Sequence, residues 1–363
     1  MNGQVLVSAN CPEMVSPATE WRKHGKAAVA QGLLLATGLA IMTGVIWQIG
    51  LRQILASLRP LGWAIIVVLF PYLLVFVLES LGWRFTFPRP LPFNPAGLTL
   101  IQIIGKAVNL ITPLIPIGGE PVKVHLLHTR GIPLGEGVTS VVISRTVAAI
   151  AQGVFVVAVT AFACFSLGIT GPLLNAMLGA VGVSAVLVGA FLWAQSRGLF
   201  TGLVGVLGRL RLRLPVLEAE AGDLDRRIRG YYRDRRGHLA LALLFNLLSC
   251  LAEAVEVYVL LVLLALPRSP GLAIGLTAFS AAIREASFAV PGSLGILEGA
   301  YVFLFGSLGL APDAAMAFGI LRRLREVAWL GVGFLLLLSG HAAALRKPVG
   351  VVSPGRGHQA TVS

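Results

Sequence analysis

The sequence predicts an all-α polytopic membrane protein with about six full spans plus two re-entrant broken-helix hairpins that form an inverted repeat. Three observations carry this reading. Of 363 residues, 56% are hydrophobic and only 12% charged, with a mean hydropathy of +0.84, a composition foreign to soluble domains. Apolar stretches long enough to cross ~30 Å of hydrocarbon recur along the chain. Two more apolar units are interrupted by Pro and Gly and align with each other at an offset of 178 residues.

Residues 1–26 lack the basic start, apolar centre and small-residue cleavage site of a secretory signal and read as a flexible cytoplasmic tail. The integral domain is expected over 27–340, with full spans at about 27–47, 62–83, 138–167, 173–195, 239–266 and 313–339. The interrupted units lie at about 97–130 and 271–309, within repeat units of about 97–167 and 271–340. Residues 341–363 form a second cytoplasmic tail.

Net charge is +13, concentrated in a basic segment at 196–238 that holds Arg209, Arg211, Arg213, Arg226, Arg227, Arg229, Arg233, Arg235 and Arg236. Membrane topology accounts for this excess without nucleic acid, for which no recognition module is present. With that segment in the cytoplasm, a single crossing by each interrupted unit would place "WRKHGK" (21–26) and "LRKP" (345–348) outside. If each unit instead dips in and returns, both termini and the Arg84–Arg89 connection become cytoplasmic, leaving only Arg52, Arg59 and Arg268 outside.

Irregular backbone at membrane depth is tolerated only where protein buries it or water lines it. Pro113, Pro116, Gly118 and Gly119 in "ITPLIPIGGEPVK", and Pro291, Gly292 and Gly295 in "AVPGSLG", therefore mark interior breaks. Pro121 is expected at the first helical position after the first break, where its missing N–H costs nothing. The 178-residue offset superimposes Lys106 on Arg284, Pro113 on Pro291, Glu120 on Glu298, Gly131 on Gly309, Arg145 on Arg323 and Gly153 on Gly331. With one hairpin entering from each side, the duplication is inverted, which is a transporter's architecture.

Seven basic residues (Lys106, Lys123, Arg145, Arg284, Arg322, Arg323, Arg325) stand within apolar segments against seven acidic ones (Glu79, Glu120, Glu253, Glu256, Glu285, Glu298, Glu326). Each costs roughly 2.5–3.5 kcal/mol at a helix centre, so they pair or line a wet cavity. Asn246, Ser249, Glu253 and Glu256 share one helical stripe, as for a face lining a polar interior. Arg322 stands four residues before Glu326 and can pair within its own helix, which leaves Arg323, the repeat partner of Arg145, for substrate. Candidate substrate-binding residues are thus Lys106, Asn109, Glu120, Lys123, Arg145, Glu253, Glu256, Arg284, Glu285, Glu298 and Arg323. Helix starts after "PIGG" and "PGSLG" would favour an anionic head group, with Glu120 and Glu298 as competing internal anions.

Catalytic signatures are missing: no HExxH, GxSxG or P-loop pattern occurs, and His125 with His128 has no third ligand nearby in sequence. Cys11, Cys164 and Cys250 have neither disulfide nor metal spacing. No cofactor, metal or catalytic residue is expected, and the chain is not expected to be an enzyme.

"GKAVNLITPLIPIGGEPVK" followed by "SVVISR", with "AVPGSLGILEGAYVFLFGSLGL" and "GILRRLRE", resembles the flippase-like transmembrane region of the lysylphosphatidylglycerol synthase superfamily. With "LAEAVEVY", the second block looks most like its hopanoid-biosynthesis-associated branch (HpnL type). The resemblance runs over roughly 27–340 and implies a bacterial inner-membrane protein that translocates a polar lipid through a charged cavity. The cargo it implies is a hopanoid or related isoprenoid lipid, or a phospholipid. By position it carries over Asn109, Pro113, Gly118, Gly119, Glu120, Arg145, Pro291, Gly295, Glu298 and Arg323. Full-length synthases append a soluble aminoacyl-transferase domain, whereas about 23 residues follow the last span here, so lipid aminoacylation is not expected of this chain. The expected partners are a membrane lipid and the bilayer, with a homo-oligomer or lipid-biosynthesis partners compatible. A membrane-embedded lipid-modifying enzyme and a non-transporting assembly factor are the alternatives.

Overall fold

The structure is a computed structural model that describes residues 62, 64–91, 93–111, 118–167, 172–202, 204, 215–287 and 296–339. Among them every regular element is helical. The helices are α1 (Ala64–Arg84), α2 (Pro95–Ile111), α3 (Gly119–His128), α4 (Leu134–Leu167), α5 (Pro172–Arg197), α6 (Pro215–Asp234), α7 (Arg236–Leu263), α8 (Pro270–Ala286), α9 (Ile296–Ser307) and α10 (Pro312–Leu338). The stretches expected to span at 62–83, 138–167, 173–195, 239–266 and 313–339 are helical, in α1, α4, α5, α7 and α10. The span expected at 27–47, both tails, Pro113, Pro116, Pro291, Gly292 and Gly295 lie outside the described residues.

Within α1, α4 and α7, Ile66–Arg84, Leu134–Phe162 and Arg236–Leu263 are long and apolar enough to cross a membrane. The length of α10 is also sufficient, but Arg322, Arg323, Arg325 and Glu326 interrupt its hydropathy near mid-helix. Large apolar side chains such as Phe70, Val186, Trp193, Leu244, Val255 and Leu335 point outward, while Arg322, Arg325 and Glu256 are fully buried. That is the reverse of a soluble fold, and it is how a protein dissolved in hydrocarbon hides its charges.

Two halves, α1–α4 and α7–α10, pack in matching fashion. The most extensive helix pair among the described residues is α1 with α7. Each broken unit leans on the other half's long helix, α2 on α10 and α8 on α4. Within each half the second limb packs on the following helix, α3 on α4 and α9 on α10. Small residues allow the close approaches, as is usual between membrane helices. A Cβ on Gly82 of α1 would lie 2.6 Å from Asn246 Nδ2 of α7, and one on Gly333 of α10 would lie 2.4 Å from the Ala107 Cβ of α2.

The 178-residue offset holds in backbone detail. Helices α4 and α10 begin at positions 134 and 312. Before each, a glycine with positive φ ends the preceding limb, Gly131 at 85° and Gly309 at 70°. Ile132 N–H donates to the Leu127 carbonyl (3.2 Å), and Leu310 N–H donates to the Phe305 carbonyl (2.8 Å). These are six-to-one bonds of Schellman type, and the glycine is needed because other residues resist the left-handed region.

The first break departs from expectation in one respect. Helix α3 begins at Gly119 with Gly118 as its N-cap, so Pro121 is the third helical residue, not the first. The missing N–H still costs nothing, since the whole first turn lacks intrahelical acceptors. Gly119 is required by proximity: a Cβ there would sit 1.9 Å from the Gly105 carbonyl oxygen of α2. The limbs α2 and α3 therefore meet backbone to backbone.

A charged interior as candidate functional site

The first half gathers its charges around Glu120, near the start of α3. Asn109 of α2 accepts from the Gly119 N–H (2.7 Å) through Oδ1 and donates to Glu120 Oε1 (3.2 Å) through Nδ2. From α4, Arg145 Nε donates to Glu120 Oε1 at 2.6 Å and Nη2 stands 2.5 Å from the same oxygen. One turn along α3, Lys123 Nζ stands 3.3 Å from Glu120 Oε2 and 5.4 Å from the Trp83 ring centre. Beside this group Lys106 of α2 donates to Glu79 Oε1 of α1 (2.6 Å), and Gln102 donates to Glu79 Oε2 (2.8 Å).

The second half repeats both pairs. Arg323 Nε of α10 donates to Glu298 Oε1 of α9 at 2.7 Å, matching Arg145 with Glu120. Arg284 of α8 donates to Glu253 Oε1 of α7 at 3.3 Å, matching Lys106 with Glu79. The second half then adds more. Glu326 accepts from Arg323 Nη1 (2.9 Å) and stands 3.6 Å from Arg325 Nη2. Arg322 donates to Glu253 and to the Tyr301 hydroxyl (3.0 Å), which itself donates to Ser280 (3.1 Å), while Arg325 donates to Glu256. Tyr72 of α1 joins the halves: its ring lies 3.9 Å from the Arg325 guanidinium and 5.7 Å from Lys106 Nζ.

The sequence expectation for Arg322 needs correction. The intrahelical partner of Glu326 is Arg323, three residues before it, and Arg322 reaches across to α7 and α9. The stripe Asn246, Ser249, Glu253 and Glu256 does face inward: Asn246 and Ser249 are buried and bonded within α7, and the two glutamates hold arginines from α8 and α10. Glu285 is half-buried near the end of α8.

Accessibility sorts these groups. Arg322, Arg325 and Glu256 are sealed, whereas the side chains of Arg145, Arg284 and Lys106 are 44%, 38% and 28% exposed. Arg145 stands 11 residues into α4, about 16 Å along its axis. A cation within an apolar helix needs water or an anion beside it, and Glu120 is the anion here.

A family model, described as the lysylphosphatidylglycerol synthase TM region, matches residues 30–333. The chain belongs to that family. Nothing among curated proteins matches the chain, and no solved structure does. In this member of the lysylphosphatidylglycerol synthase TM-region family, the matched stretch takes in all the paired charges described above. Family membership and the apolar helices make it a membrane protein, and the family points to lipid metabolism.

Some residues of the site were not singled out from sequence. Gln102 precedes Lys106 by four residues and so shares its helix face, which would have exposed it. Tyr72 and Tyr301 had a weaker signal, a lone hydroxyl in an apolar run. Away from this interior, α6 docks on the bundle: Asp225 accepts from the Phe200 and Thr201 N–H groups (3.1 and 3.0 Å), and Tyr231 donates to the Phe85 carbonyl. Tyr232 donates to Gln195 Oε1 (2.9 Å), and Gln195 donates to Thr146 (2.6 Å), next to Arg145. Burial pushes the Tyr232 phenol upward, so it keeps its proton for this bond. A cleft of about 310 Å³ between α6 and the α1–α2 connection is lined by Arg89, Glu136, Arg227, Tyr231, Asp234 and Arg235.

Proposed function

We propose that the chain is an inner-membrane lipid translocator in which a polar head group crosses through the charged interior while the tails stay in the bilayer. The observation that carries this reading is the matched pair of ion pairs, Glu120 with Arg145 and Glu298 with Arg323, one in each half at the 178-residue offset. Halves related in this way can exchange conformations about a shared site. The 10 and 12 residues of α3 and α9 span about 15 and 18 Å, half of a hydrocarbon core, which supports two re-entrant hairpins in an inverted repeat. In this reading six further segments span fully, both termini and α6 are cytoplasmic, and the hopanoid-associated branch supplies the first cargo to try, a hopanoid or related isoprenoid lipid, with phospholipids next.

Purified protein in liposomes carrying labelled hopanoid or phospholipid provides the test. Accelerated leaflet exchange of at least one lipid is expected, and no acceleration across the panel would overturn the proposal. A chemically altered lipid in mass spectra would favour a lipid-modifying enzyme instead. Topology is tested separately by single cysteines at Thr129 and Leu308, in the turns that follow the two second limbs. An impermeant thiol reagent should reach them from opposite sides of the membrane, and labelling from one side would end the inverted arrangement.

A further inference from the structure

The two halves match in skeleton but not in charge. In the first, three cations (Lys106, Lys123, Arg145) face two carboxylates (Glu79, Glu120). In the second, four arginines (Arg284, Arg322, Arg323, Arg325) face Glu253, Glu256, Glu298 and Glu326, with Glu285 beside them on α8. Among these described groups the first half therefore holds one positive charge in excess, and the second, with Glu285 counted, one negative.

Accessibility differs in the same sense at one matched pair, Arg145 and Arg323, and not at Lys106 and Arg284, whose side chains are 28% and 38% exposed. The side chain of Arg145 is 44% exposed and that of its counterpart Arg323 is 7% exposed. Arg323 has Glu326 as a second carboxylate, and the position matching Glu326 is Ala148. Positions matching Arg322 and Arg325 are Ser144 and Val147, neither of which carries a charge.

We propose that the first half is the ligand-binding half and that its ligand is an anionic head group, a phosphate or carboxylate, taken by Arg145 in exchange for Glu120. The cargo being a lipid rests on the translocator reading; the anion preference rests on the charge count and the exposure. In the exchange Arg145 trades one carboxylate for the incoming anion, to which a guanidinium can offer two parallel N–H donors. Glu120 keeps Lys123 and Asn109, so no buried ion is left without a counterpart. The excess positive charge of the ligand-free site is neutralised once the anion is bound. Glu120 thus acts as a stand-in for the ligand.

The test is binding, read without any transport step, on the full-length detergent-solubilised protein by native mass spectrometry. Three probes separate the sources: dioleoyl phosphatidylglycerol, dioleoylglycerol with the same tails and no anion, and inorganic phosphate. Phosphatidylglycerol is expected to bind at least about tenfold tighter than dioleoylglycerol. Arg145→Gln should erase that preference, Arg145→Lys should restore part of it, and Glu120→Gln should tighten phosphatidylglycerol binding severalfold by removing the competing anion. A structural ion pair would give the opposite sign for Glu120→Gln, since losing it only loosens the site. Unchanged preference in Arg145→Gln, or weaker binding in a Glu120→Gln protein with a normal melting curve, would overturn the proposal, as would phosphate binding with no lipid preference. Anion-selective binding without leaflet exchange would uphold this inference while defeating the translocator.

Discussion

In the first half Glu120 draws together Asn109, Lys123 and Arg145, and the Arg145 side chain is 44% exposed. In the second half Arg323 is gripped by Glu298 and Glu326, and behind it Arg322 and Arg325 are sealed against Glu253 and Glu256. The helices, the turns and the paired charges that define the repeat are the same. The two frames match, and differences at a handful of positions, Lys123 opposite Tyr301 or Ala148 opposite Glu326, bury Arg323 while leaving Arg145 exposed.

The sharpest break in that comparison comes at the sealed pair. Glu256→Ala should destabilise the protein by about 3–5 kcal/mol, because it strands a buried guanidinium. Unfolding in mixed micelles would measure it, and a Glu256→Leu, Arg325→Met double variant should recover most of the loss. Next in size, Arg323→Gln should cost about 3 kcal/mol by stripping two carboxylates of a buried partner. Arg145→Gln should cost less than about 1 kcal/mol, as for other exposed pairs. Equal losses at these two positions would erase the distinction drawn between the halves. Gly119→Ala should cost about 1–3 kcal/mol by forcing α2 and α3 apart, measured in the same assay. A further small effect sharpens the likeness instead of the difference: Gly131→Ala and Gly309→Ala should each cost about 1 kcal/mol, and by similar amounts, since both turns need the left-handed conformation.

Much of the frame was legible in the sequence because charges are scarce in apolar segments. Lys106 with Arg284, Glu120 with Glu298 and Arg145 with Arg323 stood out against that background, and their structural partners are indeed equivalent. Helix limits were legible too, since Pro95, Pro172, Pro270 and Pro312 each begin a helix. The partnership of Glu79 with Glu253 was hidden, because these residues are 174 apart, not 178: α1 and α7 are shifted by one helical turn, which keeps the face and spoils the alignment. Arg322 shows the other limit. Spacing within a helix says which neighbours a side chain can reach, but the fully buried Tyr301 hydroxyl and Glu253 lie on helices whose approach no local pattern encodes.

Where Gly119 presses on the Gly105 carbonyl, main chain meets main chain between α2 and α3, and the Asn109 and Lys123 side chains pack around that contact. Packed helices ordinarily shear past one another by small rotamer adjustments, and bare main chain offers none. At this contact α2 and α3 are therefore fixed to each other. Under the translocator proposal, bending falls on the attachments of this pair, the stretch from Phe85 to Asn94 and the short turn from Thr129 to Pro133, and a crosslink there should stall lipid exchange.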